Sequence, residues 1–404
     1  MSNDEGVDVL IAGGGLVGAA LAVALGQHPV TRVLRIAVVE AKPFSAELHG
    51  EPFDPRVVAL AEAARLQLAT AGIWTDALAR RACPYRRMVV RDGAGTGRIA
   101  FDSAEVRRPD LGHIVENSAL LEPLHRAIGE LAGTRFIYGS IVDVERRGGA
   151  GDLLVRLADG AVLTAPLVVA ADGANSLVRE RCGFALRSWD YGHSAIVATA
   201  RGDRSHDFTA RQWFTDHGPL AFLPLRTAAG DSRHVSIVWS QEHDEAARLM
   251  ALDGDAFGRE LGLAAEYSLG AIESVSRRFV FPLRQRHAVD YVQPGVVLVG
   301  DAAHAIHPLA GQGVNLGFAD VAVLVEELGR AMERGLAFNH PSALERYQRR
   351  RKPANLAMMA AMEGFKRLFD PAPPWVRVLR NDGMNLLDRL APVKNRLIRQ
   401  AMGF

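Results

Sequence analysis

Apolar residues follow three rhythms along this chain, and each rhythm predicts a different kind of element. Short, mostly apolar runs occur at residues 7–12, 35–39, 167–171 and 296–299. Runs of this length, rich in Val and bounded by Gly or acidic residues, read as strands buried on both faces, as in a parallel sheet. From 184 to 278 the runs alternate instead. Strands are expected there at 195–200, 210–214, 220–225 and 235–239, making a twisted antiparallel sheet with one apolar face. A hairpin, 85–90 with 98–101, should belong to a sheet other than the parallel one, and 141–146, 153–157 and 161–164 form a small antiparallel set. Helical spacing appears up to about Leu25, up to about Leu131, from near Asn315 to near Met332, and over 341–370 with Pro353 as a break or kink.

The buried runs end in residues suited to ligands. The first leads at once into Gly13-Gly14-Gly15-Leu16-Val17-Gly18 and a helix, and the second ends in Glu40, about twenty residues past the glycines. Here Gly13 permits a tight turn, Gly15 lets the backbone approach a pyrophosphate and Gly18 allows close helix–strand packing. Glu40 can hold the ribose hydroxyls of an adenosine, and an acid favours an unphosphorylated ribose, so the ligand is FAD or NAD. A tight structural turn is the plainer alternative. The last run ends at Gly300-Asp301, and Pro308, Gly311 and Gly313 then interrupt the chain before a helix near Asn315. Unpaired amides and a positive dipole at a helix start suit an anionic or electron-rich group. Asp301 can accept from ribityl hydroxyls, and the amides of Gly313, Val314 and Asn315 can face the pyrimidine edge of a flavin.

The stretch His307-Pro308-Leu309-Ala310-Gly311-Gln312-Gly313-Val314-Asn315-Leu316-Gly317, closed by Asp320, resembles the FAD-dependent ring hydroxylases of ubiquinone biosynthesis. More broadly it is similar to flavoprotein monooxygenases of the p-hydroxybenzoate hydroxylase type. Asp54-Pro55-Arg56-Val57-Val58-Ala59-Leu60 resembles their D-x-R-x-x-A-L element, and the strand ending in Asp172-Gly173 resembles their second shared motif. The resemblance implies that Gly311 and Gln312 join Gly313 to Asn315 at the flavin, and that Arg56 lies near the cofactor and its mobile loop. It also implies that Asn117 contacts the flavin phosphates, and that Asp172 and Gly173 support the cofactor and a passing nicotinamide donor. From the residues alone, Arg56 could equally be a surface charge, and Asn117 or Ser118 a plain helix cap.

The implied fold is mixed α/β: a Rossmann-like FAD-binding domain with an interleaved antiparallel substrate sheet and C-terminal helices. Its expected boundaries are 1–80, 108–183 and 280–340 for the FAD domain, 81–107 and 184–279 for the substrate sheet, and 341–404 for the helices. The implied reaction reduces FAD with NAD(P)H, captures O2 as a flavin C4a-hydroperoxide and hydroxylates a phenol. Residues 111–118, Tyr191-Gly192-His193, 206–214, 221–225 and 236–240 look most like the subgroup acting at C5 of a polyprenylphenol. The Pro308 turn and Phe222-Leu223-Pro224 could orient the ring and keep water out. Candidates for a base are His193, His113 and His307, each equally readable as a structural histidine.

Bulk properties narrow the field. The chain has 404 residues, 49% hydrophobic, with a net charge of +1, which suits a globular protein of two or more domains and gives no footprint for nucleic acid. Two cysteines, Cys83 and Cys182, lie in no metal or redox spacing, as expected of a reducing compartment. A polar N-terminus and no run of eighteen apolar residues point to a cytoplasmic protein. Asp301-x-x-His304-x-x-His307 could be read as a metal site, but Pro308 and the glycines break any helix aligning the histidines, and no metal is expected. Residues 376–404 carry Arg377, Arg380, Arg389, Lys394, Arg396 and Arg399 against Asp382 and Asp388, with apolar residues at helical spacing. Such a tail suits the inner-membrane surface, a ubiquinone-biosynthesis complex, or docking on its own domain; homo-oligomers also stay open. So do hydroxylation of another position or phenol, an isoprenoid-acting flavin reductase, and a scaffolding role.

Overall fold

The computed structural model describes residues 5–45, 53–93, 95–146, 148, 151–305, 313–369 and 373–403. The short apolar runs become neighbours in one six-stranded sheet. Its order is Val292–Gln293, Val296–Leu298, Leu167–Ala170, Val9–Ala12, Ile36–Glu40, Thr134–Tyr138. All neighbours are parallel except Val292–Gln293. Every residue of Val9–Ala12, Leu167–Ala170 and Val296–Leu298 is buried, as parallel strands covered on both faces require. Helices Leu16–Gln27, Asn117–Glu130 and Gly313–Glu333 share this core with a four-stranded sheet that supplies Val144, Val155 and Leu163. Ala170 pairs with both Ala12 and Leu298, and Ala12 with Val39. The strands therefore end level, and Gly13, Glu40, Asp172 and Asp301 fall along one edge.

A nine-stranded sheet stands beside it, built from Arg87–Asp92, Arg98–Asp102, Leu186–Gly202, Thr209–Thr215, Gly218–Leu225, His234–Glu242, Ile272–Val275, Phe279–Ala288 and His304–Ala305. Ile196, Trp213, Leu220, Phe222, Ile237 and Trp239 point from one face onto two helices, His243–Ala251 and Gly254–Ala264, that the alternating pattern did not announce. Asp244 and Glu245 in the first turn of one helix favour its positive end, and Asp253 caps the other by accepting from Ala256 N at 2.6 Å. On the opposite face Ala210, Leu223 and Leu225 meet Ala59, Tyr85 and Ile114 of a three-stranded sheet, Val57–Ala61, Cys83–Tyr85 and Gly112–Glu116. Tyr85 thus belongs to this small sheet and not to the expected hairpin. Phe279–Ala288, which straddles the expected boundary at 280, is hydrogen-bonded into the large sheet.

The helix Pro341–Phe369 continues through Pro353 as one element, so of the expected break or kink the break does not occur. Arg351 and Asn355, on either side of that proline, are both bonded to Asp320, which holds the turn despite the lost backbone hydrogen bond. Beyond it, the helix Pro374–Arg389 lies along Arg98–Asp102, the edge of the large sheet, and the helix Ala391–Ala401 packs on the short helical turn Ser103–Val106 that follows that strand. Asp388 Oδ1 accepts from Ala100 N at 2.9 Å, Asn385 Oδ1 from Arg98 N at 3.1 Å, and Asn381 Oδ1 from Gly97 N. Side chains thereby saturate an edge that would otherwise offer free amides. Arg380 forms a buried ion pair with Asp92 at 2.6 Å, and Ile398 and Met402 enter the core with Ala59 and Leu223.

The tail is therefore docked on its own chain through one face. Truncation after Asp370 strips Asp92 of its buried partner, a loss of about 3–5 kcal/mol before the apolar contacts are counted. We expect little soluble protein and a lowered unfolding temperature; a truncated form melting like the parent contradicts this docking.

Candidate cofactor and substrate site

At the edge where the parallel strands end, Gly13 has φ +99°, and a side chain there would begin 2.5 Å from the Ala171 carbonyl oxygen. At Gly18 it would begin 1.9 Å from the Gly13 carbonyl. Both positions need glycine for backbone reasons alone. Gly15 differs: a Cβ there meets nothing within 4 Å, so the turn is open on the side where the helix amides begin. Glu40 Oε2 accepts from Gly14 N at 2.7 Å, which ties the second strand to the turn, and His125 Nε2 bonds the Gly14 carbonyl at 2.7 Å.

Asp172 uses one oxygen to cap the short helix Leu177–Arg181, accepting from Leu177 N at 2.8 Å and Val178 N at 3.2 Å. Its Oδ1 is buried without a partner among the described residues. Gly173 follows with φ +82°. Asp301 is exposed at this edge, yet the protein packed around it desolvates its carboxyl enough to raise the pKa, while His304 pulls the other way. The start of the helix Gly313–Glu333 faces it: a Cβ on Gly313 would stand 3.9 Å from Asp301 Oδ1. No acidic side chain occupies the first turn of that helix, leaving its positive end for a ligand. Pro308, Gly311 and Gln312, with His307, lie outside the described residues.

Beneath Asp301 sits a buried network that the sequence did not reveal. Asp320, wholly buried, accepts from Gly300 N at 3.0 Å, His304 Nε2 at 2.6 Å, Arg351 Nε at 2.7 Å and Asn355 Nδ2 at 3.2 Å. Burial alone would raise its pKa, but His304 and Arg351 outweigh burial and hold it below the usual carboxylate value. His304 is thus committed to Asp320, and among the described residues no cluster of three potential metal ligands exists.

The D-x-R element has an unforeseen division of labour. Asp54 Oδ2 accepts from Ser118 N at 3.0 Å and its Oδ1 from Arg56 N at 2.9 Å, so Asp54 caps the helix Asn117–Glu130. Neither Asn117 nor Ser118 is the cap, contrary to the plainer reading. Glu116 locks the arrangement, accepting from Asp54 N at 2.7 Å and from Arg81 Nη2 at 2.9 Å. Asn117 Oδ1 is left buried and without a partner among the described residues, and the Arg56 side chain is 67% exposed, 3.9 Å from Asp54 Oδ1.

Asn315 joins this cofactor edge to the large sheet. Its side chain donates to Ala59 O at 2.8 Å and accepts from Ala61 N at 2.9 Å. Ala59 in turn lines a narrow apolar recess of about 20 Å³ with Tyr85, Met88, Ile114, Ala210 and Leu223, and Gln212 brings it a buried amide. Of the three residues expected to shape the pocket, Leu223 alone faces the recess. Phe222 lies on the other face, edge-on to Trp213 with ring centroids 5.1 Å apart, and strand alternation puts Pro224 on that face too. His193 pairs with Glu242 in the large sheet and does not line the recess. His113 turns from it onto Trp74, and burial lowers its pKa, keeping it neutral. Burial pushes the thiol of Cys83 up to about 12 and that of Cys182 to about 11, so both are inert at neutral pH.

This donor set fits FAD. The open turn at Gly15 can take a pyrophosphate, while orphaned oxygens on Asp172 and Asn117 can receive hydroxyl or amide donors. Asp301 stands where a polyol could reach it. Asp301→Ala should weaken FAD by about 1–3 kcal/mol, the loss of one partly buried acceptor. Titration of apoprotein with FAD measures it, and unchanged affinity would remove Asp301 from the site.

Comparison with known proteins agrees with this geometry. A family model described as an FAD binding domain matches residues 142–362. The chain is 36% identical to 3-demethoxyubiquinol 3-hydroxylase of Escherichia coli over 99% of each protein. It is 37% identical to the ubiquinone hydroxylase UbiL of Rhodospirillum rubrum, covering all of this chain and 91% of that protein. Among solved structures, PqsL of Pseudomonas aeruginosa, a probable FAD-dependent monooxygenase, superposes with a TM-score of 0.76 at 26% identity, covering 94% of this chain and 99% of that one.

Proposed function

We propose, for a chain that belongs to the FAD-dependent hydroxylases of ubiquinone biosynthesis, that its substrate is a polyprenylphenol and that oxygen enters the ring at C5. Bound FAD, reduced by NAD(P)H, supplies the oxygen-activating chemistry. Asp301 and the amides at the start of Gly313–Glu333 position the flavin, Gly15 admits its pyrophosphate, and Glu40 accepts from the adenosine ribose hydroxyls. Arg56, Asn117, Asp172 and Gly173 contribute from the neighbouring loops.

The observation that carries this reading is the double use of Ala59. Its carbonyl is bonded to Asn315 at the cofactor helix, and its side chain lines the apolar recess. The recess must widen beyond its about 20 Å³ to take a ring, and a ring drawn in there lies beside the helix that carries Asn315, between apolar walls. Gln212 can orient the phenol hydroxyl, a role the sequence reading had not given it. No histidine among the described residues lines the recess, so we assign no base to His193 or His113. A second reading is favoured by the Escherichia coli relative, whose name specifies a 3-demethoxyubiquinol and position 3.

Deleting the gene in its host and identifying the accumulated quinone precursor decides between them. A precursor lacking oxygen at C5 supports the first reading; a C5-oxygenated precursor lacking a later hydroxyl supports the second. Turnover under labelled oxygen gas without label in the product would show a reductase instead.

The outward face of the C-terminal helices supports peripheral contact with an anionic inner membrane. Trp375, Val378, Leu379, Leu386, Leu390, Val393 and Leu397 are exposed along it, interspersed with Arg389, Arg396 and Arg399. Among the described residues no helix is long and apolar enough to cross a membrane. Flotation with anionic vesicles should carry the protein; a Leu379→Asp, Leu386→Asp variant that floats equally well excludes this face. Self-association of the parent, lost in that variant, would assign the face to a second copy.

A further inference from the structure

Directly behind the recess, on the outer face of the same strands, four arginines surround a cavity of about 340 Å³. Strand register brings them together. Arg91 stands straight across from Arg98 in an antiparallel pair, Arg87 shares the face of Arg91, and Arg211 lies beside Val89 in the adjoining strand. Like charges set directly opposite repel one another. The lining offers two carboxylates in return, Asp207 and Glu266. Glu266 pairs with Arg91, and Asp102 stands 3.3 Å from Arg87. Arg211 donates to the carbonyls of His206 and Thr209 at 3.0 and 3.2 Å. Burial lowers the Arg211 pKa, Asp207 opposes that, and the nearby Arg87 and Arg91 charges add to the lowering. The Arg98 guanidinium makes no hydrogen bond or ion pair among the described residues, its backbone N–H alone being engaged, by Asn385.

Two neutral donors add to this excess. Trp213 and Ser268 line the cavity, and Trp213 Nε1 and Ser268 Oγ are buried without an acceptor. Two loops of the wall are also held in unusual conformations. Asp207, Phe208, Glu266 and Tyr267 all have φ between 50° and 52°, and they are four of the five non-glycine residues with positive φ among those described. Such conformations persist where the surroundings impose them, often at ligand sites.

We infer that this cavity binds a small phosphate-bearing anion. Paired guanidinium forks match phosphate oxygens in shape as well as charge, and the volume admits a group the size of pyrophosphate. The site is separate from the flavin edge, since none of its lining residues touches the glycine turn or Asp301. It is nevertheless coupled to the recess by strand alternation: Met88, Ala210 and Gln212 project into the recess from the strands whose next residues hold the anion.

The test uses the flavin-loaded full chain, so that the dinucleotide site is filled, and inorganic pyrophosphate as the probe at constant ionic strength. Calorimetry should show saturable binding, weakened about tenfold or more in Arg98→Ser by the loss of charge-assisted hydrogen bonds. That variant should keep its flavin content and unfolding temperature, because the side chain it removes holds nothing else. A parallel arm uses phosphatidylcholine vesicles with and without phosphatidylglycerol. Arg98-dependent binding to the anionic vesicles alone identifies the phosphate as a lipid headgroup and upholds the site. Absence of saturable binding to either probe, or equal affinity in parent and Arg98→Ser, overturns it.

Discussion

Gly15→Val is expected to fold like its parent and to purify without flavin. Gly15 has φ −68°, which any L-residue adopts, and a Cβ there meets no protein atom within 4 Å. The first atom of the new side chain therefore meets no protein, the cost to the fold is the small one of Val at an N-cap, and the side chain occupies the space a pyrophosphate needs. Affinity for FAD should fall by at least about 3 kcal/mol, more than a hundredfold. Gly13 and Gly18 cannot serve for this experiment, because side chains there collide with the Ala171 and Gly13 carbonyls and the fold itself would suffer. The readouts are flavin absorbance per protein, FAD titration and the unfolding temperature. A yellow variant with normal stoichiometry would show that the glycine turn does not hold the dinucleotide.

Asp320→Ala should be the most destabilising single change near the site. It leaves the buried Arg351 guanidinium without its ion pair and removes the acceptor for Gly300 N, His304 and Asn355. Breaking a buried pair in this way costs about 3–5 kcal/mol. Because Gly300 precedes Asp301, flavin affinity should fall together with stability. Asp320→Asn keeps the shape without the charge and should fall between parent and alanine variant. The acid response gives an independent check. The folded Asp320 carboxyl titrates below its ordinary value of 3.8, so its contribution is complete above that pH and is lost as pH falls through the lower, folded value. The stability gap between parent and Asp320→Asn should therefore close in strong acid. A gap independent of pH would mean that the charge of Asp320 contributes nothing.

The parallel sheet and its ligand edge were legible because strands buried on both faces leave unbroken apolar runs, and because the turns after them need glycine. The same property misled at Phe222. Residues 220–225 read L-A-F-L-P-L, apolar throughout since both faces of that strand are covered, so no alternation told which side chains meet the recess. The helix His243–Ala251 was hidden among strands, its polar residues resembling a solvated turn. Arg351 could not be singled out within Arg349-Arg350-Arg351-Lys352, a run that looks solvent-facing, although Arg351 alone of the four turns fully into the core. Asp54 was passed over in favour of Arg56 because capping partners distant in sequence leave no local signature.

The helix Pro374–Arg389, which saturates the edge of Arg98–Asp102, has a consequence for synthesis on the ribosome. Ala100 and its partner Asp388 are separated by 288 positions. At translation speeds of about 5–20 residues per second, an interval on the order of 15–60 s passes between the emergence of that strand and of the segment that covers it. Throughout that interval the amides of Gly97, Arg98 and Ala100 are open to pairing with another nascent strand. The hazard of aggregation in this protein thus belongs to the growing chain, and slowing of late codons would lengthen it without altering the finished molecule.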